Sequence, residues 1–390
     1  MLLPSSTRKD HFWIYGLAMV FYGLYYWMNV PKDYSACTLC DGHQYAKLYW
    51  YFEHGMIAPI KFPFYNRPLV PWLVSLIPGS SIGLHFDLVN FAFFVISIWA
   101  IRSLWLELQL KFWVQLLGFG WLIIHWTGII RLNLYDNLTV DVPLYFFQAL
   151  ALLLFLKKDY KWFLLLVPVA LLQKESFLAI MVVFIGIHFV YNYHHQPWKQ
   201  GRILILSTLI GLLIQKTVLY YLPEQLDQRS SLDAILYHGH WALKDPSRFI
   251  RWFTAFGSAY GLLPLAIFLA FGIRRFKDSK YTLLLVLSLM YSSFGLLAGE
   301  DMTRILFLGF PFIMTLTLRE LQGKDLTFVF SALGLSLISL RLLPIPVDTH
   351  WAIDYAELAH VWNWFFYYSL CVIVLLLIHQ FKTNKNNLRS

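Results

Sequence analysis

The side chains best able to do chemistry in this chain are acidic and basic residues standing where apolar runs begin and end. One group opens with Cys37-Thr38-Leu39-Cys40-Asp41-Gly42-His43-Gln44-Tyr45-Ala46-Lys47 and continues with Tyr65-Asn66-Arg67-Pro68-Leu69-Val70-Pro71. Asp136 and Asp141 flank Asn137, Lys174 and Glu175 separate two apolar runs, and Glu300, Asp301 and Arg304 precede another. A carboxylate ionised at neutral pH can take a proton in a transition state, typically worth about 10²–10⁴-fold in rate. Arg and Lys supply charge-assisted donors to phosphate oxygens. Each acidic residue also has a plain explanation: Asp41 reads equally well as the N-cap of a helix, and carboxylates at helix starts favour the helix dipole. Gathered on one side of a membrane, however, ionisable groups this close to hydrocarbon are functional candidates.

Metal chemistry is left open. Asp41 and His43 provide two local ligands, whereas a hard divalent ion takes about six oxygens, so no cofactor is required. Cys37 and Cys40 form a single CxxC that reads as a disulfide clip on an oxidising face rather than a zinc site, since no second Cys or His pair accompanies it. Cys371 lies in an apolar run and reads as inert core. His238 and His240 read as packing or gating residues, and His125 and His188 as hydrogen-bonded structural ones.

Positioning these residues falls to apolar helices. Of 390 residues, 58% are hydrophobic and 14% charged, with a mean hydropathy of +0.57. That composition belongs to a polytopic membrane protein, all-α in class. The net charge of +9 comes from short Lys/Arg clusters between apolar runs, with no contiguous basic stripe for nucleic acid. Twelve candidate spans follow: 12–30, 84–101, 112–130, 139–156, 162–172, 176–190, 203–222, 249–273, 281–298, 305–318, 326–343 and 362–380. The first reads as an uncleaved signal anchor. The runs 162–172 and 176–190 are short for a span of about 17 residues or more. Placing Arg8 and Lys9 in the cytoplasm and alternating puts every later basic cluster inside, as the positive-inside rule requires. The expectation is one membrane domain over 1–390 with both ends cytoplasmic. The first periplasmic loop, 31–83, then carries an interfacial helix whose Tyr45, Leu48, Tyr49 and Phe52 face the headgroups.

The order of these motifs resembles the GT-C superfamily of membrane glycosyltransferases, which use polyprenyl-phosphate sugars. The resemblance lies in Asp41 followed by the pair Tyr45-Ala46 and an aromatic helix, in Tyr65-Asn66-Arg67-Pro68-Leu69-Val70-Pro71, in Lys174-Glu175, and in Asp301-Met302-Thr303-Arg304 with Pro311. It implies an inverting transferase of the bacterial inner membrane, with a polyprenyl-phosphate-linked sugar and membrane lipid as its partners. Asp41 is then the general base, Arg304 the first cation for the leaving phosphate, and Arg67 and Lys174 lie behind it. Glu175, Asp136, Asp141, Glu300, Asp301, His43 and Tyr45 complete the substrate-binding set. Two other classes fit the same composition: a transporter or flippase of a lipid-linked or anionic solute, and an outer-face glycan polymerase or acyltransferase.

Overall fold

The computed structural model describes residues 5–34, 40–192, 197–223, 225–226, 230–270, 273–297, 299, 301–342 and 356–387. The protein is all-helical: among the described residues there is no strand, and one isolated parallel bridge joins Ile60 to Gln225. The first helices are α1 (Ser5–Met28), α2 (Asp41–His54), α3 (Leu69–Ser75), α4 (Ile82–Glu107), α5 (Phe112–Ile124) and α6 (Arg131–Tyr135). There follow α7 (Val142–Leu156), α8 (Phe163–Gln173), α9 (Phe177–Asn192), α10 (Pro197–Tyr220), α11 (Ser231–Lys244) and α12 (Ser247–Tyr260). The last are α13 (Leu265–Leu269), α14 (Ser279–Leu297), α15 (Met302–Phe307), α16 (Phe310–Leu321), α17 (Leu326–Ser336) and α18 (Leu358–Asn387).

Among the described residues, four stretches are long and apolar enough to cross a membrane: Ile82–Glu107, Gln200–Tyr220, Ser279–Leu297 and Leu358–Phe381. Five further apolar helices are shorter: Phe112–Ile124, Val142–Leu156, Tyr160–Gln173, Phe177–Tyr191 and Leu326–Leu340. The short runs around Lys174 and Glu175 form two separate helices, α8 and α9. Three of the expected runs are broken. Run 249–273 divides at Gly261, whose φ of +59° suits glycine; a Cβ there would lie 2.3 Å from that of Ser336, and the Ser336 hydroxyl accepts the Leu262 N–H at 2.7 Å. Run 305–318 divides between α15 and α16.

Run 112–130 leaves the helix at His125, because that imidazole organises a buried turn. Nδ1 accepts the Thr127 N–H at 3.1 Å, so Nε2 carries the hydrogen and donates to the Ser258 carbonyl at 2.8 Å. Arg131, 1% exposed, donates from Nη1 to the carbonyls of Ile124 and Leu340, each at 3.0 Å. These side chains satisfy backbone groups that a non-helical stretch would otherwise leave bare in an apolar surround.

Helices in lipid gain little from apolar burial and associate through close packing, which small residues permit. Gly118 of α5 is such a point: a Cβ would meet Leu318 of α16 at 2.5 Å and Trp105 of α4 at 2.6 Å. Trp105 then reaches across to donate from Nε1 to Thr315 Oγ1 at 2.8 Å. Phe93 of α4 meets Phe146 and Phe147 of α7 with ring centroids 6.2 and 6.0 Å apart.

The aromatic face of α2 corrects one expectation. Tyr45, Leu48 and Tyr49 are at most 1% exposed and pack with Val70 and Val74 of α3, Phe86 and Val89 of α4, and Leu138 and Val140. That face is buried in protein rather than turned to headgroups, and only Phe52 of the four is half-buried. The helix is thereby clamped to α3 and α4, which fixes the position of its first residue, Asp41.

The candidate ionic site

Asp41 is the first residue of α2, and the N-cap position belongs to Cys40, which makes no side-chain capping bond. Asp41 therefore does not cap its helix; its carboxylate turns to Arg304, with Oδ2 3.5 Å from Nη1. Cys40 is disulfide-bonded, whereas Cys37 lies outside the described residues, as does Glu300. Cys371 is a free, buried thiol.

Arg304, on the first turn of the short helix α15, is the hub. Its Nε donates to Asp141 Oδ2 at 2.6 Å, its Nη2 to Thr139 Oγ1 at 3.3 Å, and its Nη1 lies 3.7 Å from Asp301 Oδ2. The other oxygen of Asp141 accepts from Lys174 Nζ at 3.0 Å. Beside this, Arg67 grips Glu175 with two parallel bonds, Nη2 to Oε1 at 3.0 Å and Nε to Oε2 at 3.2 Å. Its Nη1 donates to the Tyr45 hydroxyl at 3.2 Å. Segment 136–141 delivers Asp136 and Asp141, and neutral side chains hold it: Gln173 Nε2 donates to the Val140 carbonyl, and Asn90 Nδ2 to the carbonyls of Asn137 and Thr139 at 3.4 and 3.2 Å. Asp136 accepts from the Tyr34 hydroxyl, which itself accepts the Leu138 N–H at 3.1 Å. His43 lies outside this web, its Nε2 2.8 Å from the Tyr34 carbonyl.

The structure thus brings together Asp41, Tyr45, Arg67, Asp136, Asp141, Lys174, Glu175, Asp301 and Arg304, and leaves His43 at the edge. Tyr34, Thr139, Gln173 and Asn90 were not foreseen, because neutral polar residues carry no signal against an apolar background. His238 and His240 do not join the site; His238 Nδ1 accepts from Arg248 Nη2 at 2.9 Å. Among the described residues no three His, Cys, Asp or Glu side chains group so as to hold a metal ion.

Compared with family models, curated proteins and solved structures, the chain matches none of them. The site's own electrostatics must carry the functional reading. Burial disfavours the charged form of Asp141, yet the Arg304 guanidinium, then Lys174 and Arg67, hold its carboxyl well below the usual carboxylate range. Burial likewise opposes ionised Glu175, and Arg67 overrides it and lowers its pKa. Asp301 goes the other way: burial raises it, Arg304 only partly compensates, and Asp41 and Asp141 add to the rise. Asp141 and Glu175 are therefore counter-ions committed to cations, poor proton acceptors by construction.

A stability expectation follows with a definite sign. Groups whose folded pKa is depressed stabilise the fold above their unfolded values, about 4, and that contribution is lost as pH falls through the lower folded values. Asp301, raised in the fold, offsets part of this. The thermal unfolding midpoint of the purified chain should be flat from neutrality to about pH 5 and drop below about pH 4. A midpoint unchanged across the acid range would contradict the paired state of Asp141 and Glu175.

Proposed function

We propose that this chain is an inverting GT-C-type glycosyltransferase of the cytoplasmic membrane. It crosses about twelve times with both ends inside, and works at the outer face on a polyprenyl-phosphate-linked sugar. One observation carries the reading. Among the described carboxylates paired with these cations, Asp41 is the most open, its side chain 45% exposed against 5% for Asp141, 21% for Glu175 and 31% for Asp301. It also faces the one edge of Arg304 whose ion pairs are long. A base reachable by an acceptor hydroxyl, 3.5 Å from a guanidinium, is what sugar transfer from a phosphate needs.

In this mechanism the acceptor oxygen attacks the anomeric carbon while Asp41 takes its proton. The bond from that carbon to the phosphate oxygen breaks with inversion, and the electron pair leaves on the lipid phosphate. Nη1 of Arg304 meets the developing charge, its other nitrogens already fixed by Asp141 and Thr139, so little reorganisation is required. Lys174, held by the opposite oxygen of Asp141, adds positive charge to the same cluster. Glu175 keeps Arg67 oriented toward Tyr45.

A second ionic cluster supports the crossing. Arg275 pairs with Glu320 at 2.5 Å and Arg319 with Asp278, just before α14 begins, whereas Asp301 lies just after it ends. Nineteen helical residues separate the two, about 28 Å at 1.5 Å each, close to the roughly 30 Å of bilayer hydrocarbon.

The test is transfer itself. Inverted and right-side-out vesicles holding the chain are given radiolabelled sugar on a polyprenyl phosphate together with envelope glycan, lipid or protein acceptors. Product with inverted anomeric configuration and released polyprenyl phosphate are expected only where the donor reaches the Asp41 face. Accumulation of labelled donor inside vesicles with no product would replace this reading with a transporter.

A further inference from the structure

Outside the ionic cluster, a cavity of about 10 Å3 lies where α1, α4, α6 and the start of α7 meet. Tyr22, Asp87, Asn90 and Asn133 line its polar side. Asp87 stands six residues into the 26-residue apolar helix α4, where a carboxylate is expensive and a functional candidate by position. Among the described residues no Lys, Arg or His forms an ion pair with it, and the Asn137 side chain hydrogen-bonds to it.

The two asparagines define what the cavity accepts. Asn90, 5% exposed, spends its amide nitrogen on the carbonyls of Asn137 and Thr139, and its Oδ1 is buried with no partner. Asn133, 7% exposed, spends its nitrogen on the carbonyls of Gly128 and Ile129 at 3.2 and 3.1 Å. An amide has two N–H donors, so both side chains can only accept at the cavity. One carboxylate and two amides whose nitrogens are already spent line the cavity beside a single hydroxyl, that of Tyr22. Such an excess of acceptors beside a formal negative charge calls for a cation with hard, oxygen-loving character. The volume is that of about one water-sized body. A single carboxylate neutralises one positive charge, whereas a divalent ion would leave net charge among apolar helices.

We propose that this cavity binds one monovalent cation of sodium size, held by Asp87, Asn90 and Asn133. Its role is to fix segment 136–141. Asn90 grips two carbonyls of that segment, and the Asn137 side chain acts on Asp87. Filling the site therefore braces the backbone that delivers Asp136 and Asp141 to Arg304. The inference stands on the cavity alone and does not depend on the transfer reaction.

The experiment compares thermal unfolding of the full-length protein in detergent in NaCl, KCl and N-methylglucamine chloride at equal ionic strength and pH. Sodium should raise the midpoint saturably, since a ligand of the native state stabilises it in proportion to its occupancy. Potassium should raise it less, and N-methylglucamine not at all. Asp87→Asn and Asn90→Leu should each remove the sodium dependence, and Asp41→Asn should keep it. An identical wild-type midpoint in all three salts would mean that the cavity holds only water and would overturn the proposal. So would magnesium acting at lower concentration than sodium. Should either cavity variant fail to fold, the wild-type salt comparison still decides, as does sodium NMR line broadening by the wild-type protein.

Discussion

Asp41→Asn is expected to lower the turnover of sugar transfer by about 10²–10⁴-fold while the protein still folds, inserts and binds its donor. The amide keeps the size of the carboxylate and loses the basicity that the proposed mechanism requires for taking the acceptor proton. Little structural cost is expected, because the side chain is 45% exposed and its one ion pair among the described residues is 3.5 Å long. Exposed pairs of that kind are worth about 0–1 kcal/mol net. The effect should therefore fall on kcat with KM for the donor nearly unchanged, the pattern of an interaction made only in the transition state. Steady-state kinetics beside a melting curve measures both. Full turnover in the variant would remove Asp41 as the base, and an equal rise in KM would recast it as a binding residue.

Asp141→Ala should have the larger structural effect. This carboxylate is 5% exposed and holds Lys174 on one oxygen and Arg304 on the other, at 3.0 and 2.6 Å. Removing it strands the largely buried Lys174 and leaves Arg304 with only its long pairs to Asp41 and Asp301, a loss of the order of 3–5 kcal/mol for a broken buried pair. The expected result is a strongly lowered unfolding midpoint and no transfer. The double variant Asp141→Ala with Lys174→Met should recover part of that stability, since one stranded charge is gone; this non-additivity is the mark of direct coupling. A single variant melting like the wild type would show that the Lys174 and Arg304 contacts are not made in the folded protein. The two substitutions thus separate the roles of two aspartates that look alike along the chain.

Much of the helical scaffold was legible in advance because lipid penalises charge. Lys, Arg, Asp and Glu are driven to the ends of apolar runs, so the runs themselves mark α1, α4, α7, α9, α10, α14 and α18. The breaks were not legible. Nothing in the run 112–130 distinguishes the turn at His125 from continued helix, because the turn rests on contacts with Ser258 and Leu340, more than a hundred residues away. Gly261 looks like any glycine in an apolar helix until Ser336 is set against it.

The members of the ionic site were also visible as charges at run ends, and their pairing was not. Arg304 meets Asp141 across 163 positions, and Arg67 meets Glu175 across 108. Any of the cations could have served any of the carboxylates; which ones touch is decided by how α2, α3, α8 and α15 come together. That packing separates an accessible Asp41 from an occupied Asp141. The neutral straps, Tyr34, Asn90, Thr139 and Gln173, could not be found from composition, since each earns its place only through one partner's geometry.

What the amino-acid sequence determined by itself was the solvent of this protein, the approximate extent of its helices and the set of ionisable side chains at their ends. Those follow from transfer free energies that act residue by residue. Tertiary structure alone decided which charges neutralise one another, where helices break, and that the aromatic face of α2 lies against protein. The physical reason is the same in each case: an apolar face gains almost equally from lipid or from a neighbouring helix, and a carboxylate from any nearby cation, so local chemistry leaves the choice to packing between segments far apart in the chain.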